Sequence, residues 1–156
     1  MPILAIPFPD IDPVAVSLGP VVVKWYGLAY MAGLILGWLY VRRLLGEARL
    51  WPGGVAPFTP AKVDDLLLYM TVGVVVGGRL GFVLLYEPGY YLTHPLDILA
   101  VWKGGMAFHG ALLGCGLAVV LFARNHGVNP LSAMDLSAAA VPLGLFFGRI
   151  ANFING

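Results

Sequence analysis

Four apolar runs of membrane-crossing length partition this chain, at residues 21–41, 66–86, 105–123 and 132–154. Arg42 and Arg43 close the first, and Asp64 and Asp65 precede the second, which stops before Glu87 and Pro88. Trp102, Lys103 and Arg124 flank the third, and the fourth begins near Ser132. A helix needs roughly 20 apolar residues to cross about 30 Å of hydrocarbon. Lipid offers a spanning segment no hydrogen-bond partner, so its backbone must pair with itself. The runs therefore predict an all-α fold, a polytopic integral membrane helical bundle with about four transmembrane helices. Composition agrees: 60% of residues are hydrophobic and 11% charged, against about a quarter charged in soluble domains. Residues 1–20 read as an N-terminal segment outside the membrane, and residues 21–156 as one transmembrane domain. Pro2, Pro7, Pro9 and Pro13 interrupt any signal-peptide core, so the first apolar helix is expected to be retained.

Loop cations orient the spans, because cytoplasmic loops carry the excess of Lys and Arg. Arg42, Arg43, Arg49 and Lys62 lie between the first two runs, and only Lys103 between the second and third. The N-terminus is then expected outside, with residues 87–101 on the outer side. A formal net charge of +1 gives no field for nucleic acid. One cysteine, Cys115, excludes an internal disulfide and a cysteine zinc cage. His94, His109 and His126 are scattered and no H-E-x-x-H occurs, so neither a metal nor another cofactor is expected. Ser17, Ser132 and Ser137 sit in no Gly-x-Ser-x-Gly context. Cys115 lies six residues past His109 on a different helical face, and reads as a small core residue.

Two spans carry an arginine inside an apolar stretch, Arg79 and Arg149. Such a charge costs at least about 2.5–3.5 kcal/mol at the bilayer centre, so it needs a partner or a wet cavity. The alternative is an arginine near a helix end that snorkels to the headgroups. Depth bears on the choice. Asp65 to Arg79 and Asp135 to Arg149 are each 14 residues, a rise of ~21 Å from the inner face. His109 lies 15 residues from Arg124, or ~22 Å, and Tyr26 lies 16 from Arg42, or ~24 Å. Four polar side chains on four helices thus share one level in the outer part of the membrane, which favours one site. Glycines gather at that level, among them Gly77, Gly78, Gly81, Gly104, Gly105, Gly110 and Gly148. They read as close helix packing, as room for a bulky ligand, or as both.

Two guanidiniums at one depth suit a phosphate diester or another oxyanion, which their planar forks bind bidentately. A histidine moves protons near neutrality, and Tyr26, Asn152 and Asn155 orient or polarise. At headgroup depth the simplest substrate is a phospholipid entering sideways. Two other readings stay open: a transporter or channel for an organic anion, and a structural membrane subunit held by glycine packing.

The motifs themselves resemble a known family. Gly148-Arg149-Ile150-Ala151-Asn152-Phe153-Ile154-Asn155 is similar to the diagnostic stretch of prolipoprotein diacylglyceryl transferases. The segment from Trp102-Lys103-Gly104-Gly105 through Phe108-His109-Gly110-Ala111 to Gly114 resembles the same family's histidine motif. Lys24-Trp25-Tyr26-Gly27-Leu28 and Gly77-Gly78-Arg79-Leu80-Gly81 match it in order. The resemblance implies transfer of a diacylglyceryl group from phosphatidylglycerol to the lipobox cysteine of a prolipoprotein signal peptide, with release of glycerol phosphate. It implies a multi-pass protein of the bacterial cytoplasmic membrane, in contact with the lipid bilayer and with its active site toward the outer face. By motif match, Arg149 would bind the phosphoglycerol headgroup and stabilise developing charge, and His109 would stand at the reaction centre. Tyr26 and Asn152 would position substrate, and Arg79, Gly104, Gly105 and Gly110 would belong to the substrate-binding set. The family has His-Gly-Gly where this chain has His109-Gly110-Ala111, and commonly Gly-Asn at Ala151-Asn152. Family members continue past the position of Gly156 with a glutamate and further membrane helices, so the chain resembles an N-terminal half.

Overall fold

The computed structural model describes residues 11–19 and 21–155, the side chains of Leu18, Val21 and Asn155 apart. Most of the expected N-terminal segment, residues 1–20, lies outside them. The long helices are α1 (Trp25–Gly46), α2 (Lys62–Leu85), α4 (Phe108–His126) and α5 (Pro130–Asn155), with a short α3 (Pro88–Thr93) between α2 and α4. Among the described residues, four helices are long and apolar enough to cross a membrane, as the hydropathy runs predict for a polytopic helical membrane protein.

The helix limits differ from those runs for local reasons. Val21–Lys24 is a strand, β2, paired antiparallel with β1 (Val14–Leu18). Valines at positions 14, 16, 21, 22 and 23 suit a pleated ribbon, and Gly19 supplies φ 61° in the link. The Trp25 N–H donates to Pro13 O at 3.1 Å, so α1 starts where the ribbon ends. At its other end α1 runs past Arg42 and Arg43, since basic residues in a last turn complement the helix dipole. In α2, Asp64 and Asp65 occupy the first turn, where a negative charge is favoured. α4 begins at Phe108 rather than Gly105, because Gly104 (φ 87°) and Gly105 (φ 82°) are not helical. It ends at Gly127 (φ 64°), whose N–H caps the carbonyls of Ala123 and Arg124. α5 opens with Pro130, whose missing N–H costs nothing at a first turn, and Asn129 Oδ1 accepts the Leu131 N–H at 2.9 Å.

The chain forms two compact units, Met1–Tyr40 with Ala138–Gly156, and Val41–Ser137. In the second, α2 and α4 pack antiparallel through glycine: Gly73 meets Gly114 and Ala118, Gly77 meets Gly110 and Gly114, and Gly81 meets Gly110 and Ala107. One end of this pair is closed by Phe122, fully buried against Phe58, Tyr69 and His126. His126 Nε2 lies 3.2 Å from Asp65 Oδ2, and Asn125 donates to the Tyr69 hydroxyl at 2.7 Å. Arg79 lies toward the other end. In the first unit α1 and α5 use the same device, with Gly33 against Gly144 and Gly37 against Ala140.

Residues 86–107 join the α2 and α4 ends near Arg79 as α3 and two 3-10 turns. Their inward side chains, Tyr91 and Ala100, are buried, while Leu92 (84%), Leu96 (83%) and Trp102 (80%) are exposed. An apolar outer face between two spans fits the boundary between headgroups and hydrocarbon, where tryptophan concentrates. With Trp25, Trp38 and Trp51 replaced by phenylalanine, Trp102 in phosphatidylglycerol-containing vesicles is expected to emit at blue-shifted wavelength. Quenchers placed at the lipid ester level should reduce that emission; a water-like emission open to iodide would exclude this placement.

Candidate active site

Arg79 organises the polar end of the α2–α4 pair. It is only 4% exposed, and a buried guanidinium must fill its donors or pay a large desolvation penalty. Its Nε donates to Ile98 O at 2.9 Å and its Nη2 to Asp97 O at 2.5 Å. Nη1 donates to Gly104 O at 2.5 Å and to Gly105 O at 3.2 Å. The guanidinium carbon also lies 5.2 Å from the centre of the Tyr91 ring. Arg79, expected in the substrate-binding set, holds four main-chain oxygens of its own chain.

The segment it grips is tied down elsewhere. The Ala107 N–H donates to Gly78 O at 2.9 Å. The Asp97 side chain points the other way, accepting from the Tyr90 hydroxyl at 2.6 Å and from Lys103 Nζ at 2.9 Å. Those two bonds hold the Asp97 carboxyl below the usual carboxylate range, and the bond to Asp97 raises Tyr90 above its ordinary value. Gly105 needs its glycine twice over: φ is 82°, and a Cβ would stand 2.6 Å from the Phe82 ring and 3.0 Å from Arg79 Nη1. Gly104 needs only its φ of 87°, with open space around it. Gly110, another expected substrate residue, faces α2, where a Cβ would come within 2.8 Å of Gly81 Cα. Its role in the structure is therefore close helix packing.

His109 follows this segment in the first turn of α4. It is exposed, its ring 5.5 Å from that of Phe108, and among the described residues it makes no hydrogen bond. The antiparallel α2–α4 register brings Arg79 and His109 to one level, as their depth count predicts.

The other unit holds Tyr26, Arg149 and Asn152. Tyr26 donates to the Tyr30 hydroxyl at 3.2 Å, their rings 4.7 Å apart. Tyr30 in turn lies near Gly148, where a Cβ would be 3.7 Å from its hydroxyl. A tyrosine four residues past Tyr26 falls on the same helix face, so Tyr30 was detectable from spacing. Arg149 and Asn152 are both exposed and, three apart, also share a face. Among the described residues Arg149 has no hydrogen bond or ion pair. Ala151, between Arg149 and Asn152 in sequence, is buried.

The family profile described as Prolipoprotein diacylglyceryl transferase matches residues 13–156. The chain belongs to the prolipoprotein diacylglyceryl transferase family. Among its relatives is the phosphatidylglycerol–prolipoprotein diacylglyceryl transferase of Rhizobium meliloti (strain 1021), 54% identical over 97% of this chain and 54% of its own length. That of Rhodopseudomonas palustris (strain ATCC BAA-98 / CGA009) is 51% identical over 100% of the chain and 54% of its own length. The transferase of Nitrobacter hamburgensis is 52% identical over 97% of the chain and 52% of its length. The chain thus spans about half the length of the curated relatives it matches. Membership in this transferase family, with four apolar helices, makes the chain part of a multi-pass membrane protein.

Proposed function

We propose that this chain carries substrate-binding and proton-transfer groups of a phosphatidylglycerol–prolipoprotein diacylglyceryl transferase of the bacterial inner membrane. One observation carries the reading: Arg149, in an apolar stretch of its helix, is exposed and has no ion pair among the described residues. A cation so placed calls for an anion beyond the described residues, and a phospholipid phosphate is the anion found at that depth. Arg149 binds the phosphodiester and offsets the charge gained as glycerol phosphate departs. His109 accepts the proton of the lipobox cysteine thiol as its sulfur attacks the glyceryl carbon. One carbon–sulfur bond forms and one carbon–oxygen bond to phosphate breaks. Tyr26, ordered by Tyr30, and Asn152 orient the headgroup, while Gly104 leaves the space beside it open.

The orientation with the N-terminus and these polar residues outside rests on the loop cations, and suits an acceptor that arrives on a translocated signal peptide. The family is one of transferases, which removes the ground for an anion transporter.

The test is transfer from phosphatidylglycerol to a lipobox peptide, by this chain alone and by a form extended to the full length of its relatives. His109→Ala is expected to lower the rate about 100-fold, the contribution of a positioned base, with normal helix content. A form that transfers lipid at the original rate without His109 would remove it from the reaction, and no transfer by either wild-type form would end the transferase reading.

A further inference from the structure

We propose that Arg79 is a positioning residue for this reaction: it holds residues 97–105 as a rigid strap that sets the start of α4 and hence the place of His109. The inference rests on the transferase reading for its kinetic consequence, and on geometry for the strap itself. Every nitrogen of the guanidinium is engaged, and all four acceptors lie in residues 97–105. The bonds are therefore spread along the strap rather than focused on one point. The partners are 18 to 26 residues away in sequence, so no local turn would reproduce this conformation. Three residues after the last gripped carbonyl, α4 begins, and Gly78, the neighbour of Arg79 in α2, fixes its Ala107 N–H. A shift of the strap must move the first turn of α4, which carries His109.

The arrangement needs arginine. Its five N–H donors point in a fixed planar fork, whereas lysine offers three from one atom on a flexible stem. Lysine would keep the charge and still not span from Ile98 O to Gly105 O. Asp97 does not neutralise Arg79 through its side chain, which is turned to Tyr90 and Lys103. Among the described residues, carbonyl dipoles and the Tyr91 ring solvate the buried cation, so loosening any part of the strap exposes it to a cost that the native geometry avoids.

Arg79→Lys and Gly105→Ala disturb the strap from opposite sides, and each would be compared with wild type by amide hydrogen exchange and by transfer kinetics in the active form. Expected are faster exchange over residues 97–107, unchanged protection in the middle of α2 and α4, and kcat lowered about 100-fold by an ångström-scale displacement. KM for phosphatidylglycerol should change less than about threefold, because ground-state binding is not what is removed. The double variant should fall no further than the worse single one, as expected for residues acting through one element. An Arg79 that touches the lipid headgroup would give the opposite pattern: exchange of the strap as in wild type, KM raised, and effects that multiply with those of Gly105→Ala. That pattern would overturn the proposal. If neither wild-type form transfers lipid, the transferase reading fails, and the exchange result alone decides whether Arg79 holds the strap.

Discussion

Replacing Arg149 with alanine is expected to reduce diacylglyceryl transfer about a thousandfold, the scale seen when one preorganised electrostatic contact to a developing anion is removed. The phosphate of a diester carries one negative charge, and the departing glycerol phosphate carries more, so a cation at the leaving group is worth more in the transition state than in the bound lipid. Both kcat and kcat/KM should therefore fall, with KM changing less. Arg149→Lys separates charge from shape. Lysine retains the cation, and its single nitrogen lacks the two-pronged match to phosphate oxygens, so an intermediate loss of about tenfold to a hundredfold is expected. Folding should survive both changes, because Arg149 is exposed and has no hydrogen bond or ion pair among the described residues. Circular dichroism and thermal unfolding in detergent, run beside the transfer assay, check this. A variant that unfolds in proportion to its lost activity would mean that Arg149 serves packing instead.

Arg79 and Arg149 also show where reading a sequence stops. The two sit in closely similar local contexts, Gly78-Arg79-Leu80 and Gly148-Arg149-Ile150, and depth counting places both at one level. The structure separates them: Arg79 is buried and filled, Arg149 exposed. What decides is a segment 18 to 26 residues downstream of Arg79, and neither residue type nor period encodes that pairing. The same reason hid the start of α4, since the left-handed Gly105 reads as the first residue of an apolar run until its carbonyl is seen facing Arg79. The spans themselves were legible because lipid imposes a length and a polarity that composition records directly. The hairpin was not, because a short apolar run such as Val21–Val23 serves a strand as well as a helix.

Gly114→Ala is expected to be the most damaging single methyl in the chain for stability, and Gly116→Ala, two residues on, nearly neutral. A Cβ at Gly114 would overlap Gly73 O and stand 2.9 Å from Gly77 Cα. Both are backbone atoms of the facing helix, so no rotamer change relieves the clash and α2 and α4 must move apart. At Gly116 nothing lies within 4 Å. Helix propensity favours alanine equally at both positions, so the difference between the two variants isolates the packing term. Overpacking costs about 1–3 kcal/mol where side chains can yield, and rigid backbone on the far side puts Gly114→Ala at or above the top of that range. Membrane helices have no hydrophobic drive to associate and depend on this closeness, so separation at Gly114 also loosens the contacts of Gly77 with Gly110 and of Gly81 with Gly110. Unfolding in detergent measures the effect: the Gly114 variant should lose its cooperative transition or shift it well below wild type, while the Gly116 variant tracks wild type. Equal stability for the two would show that α2 and α4 do not meet backbone to backbone.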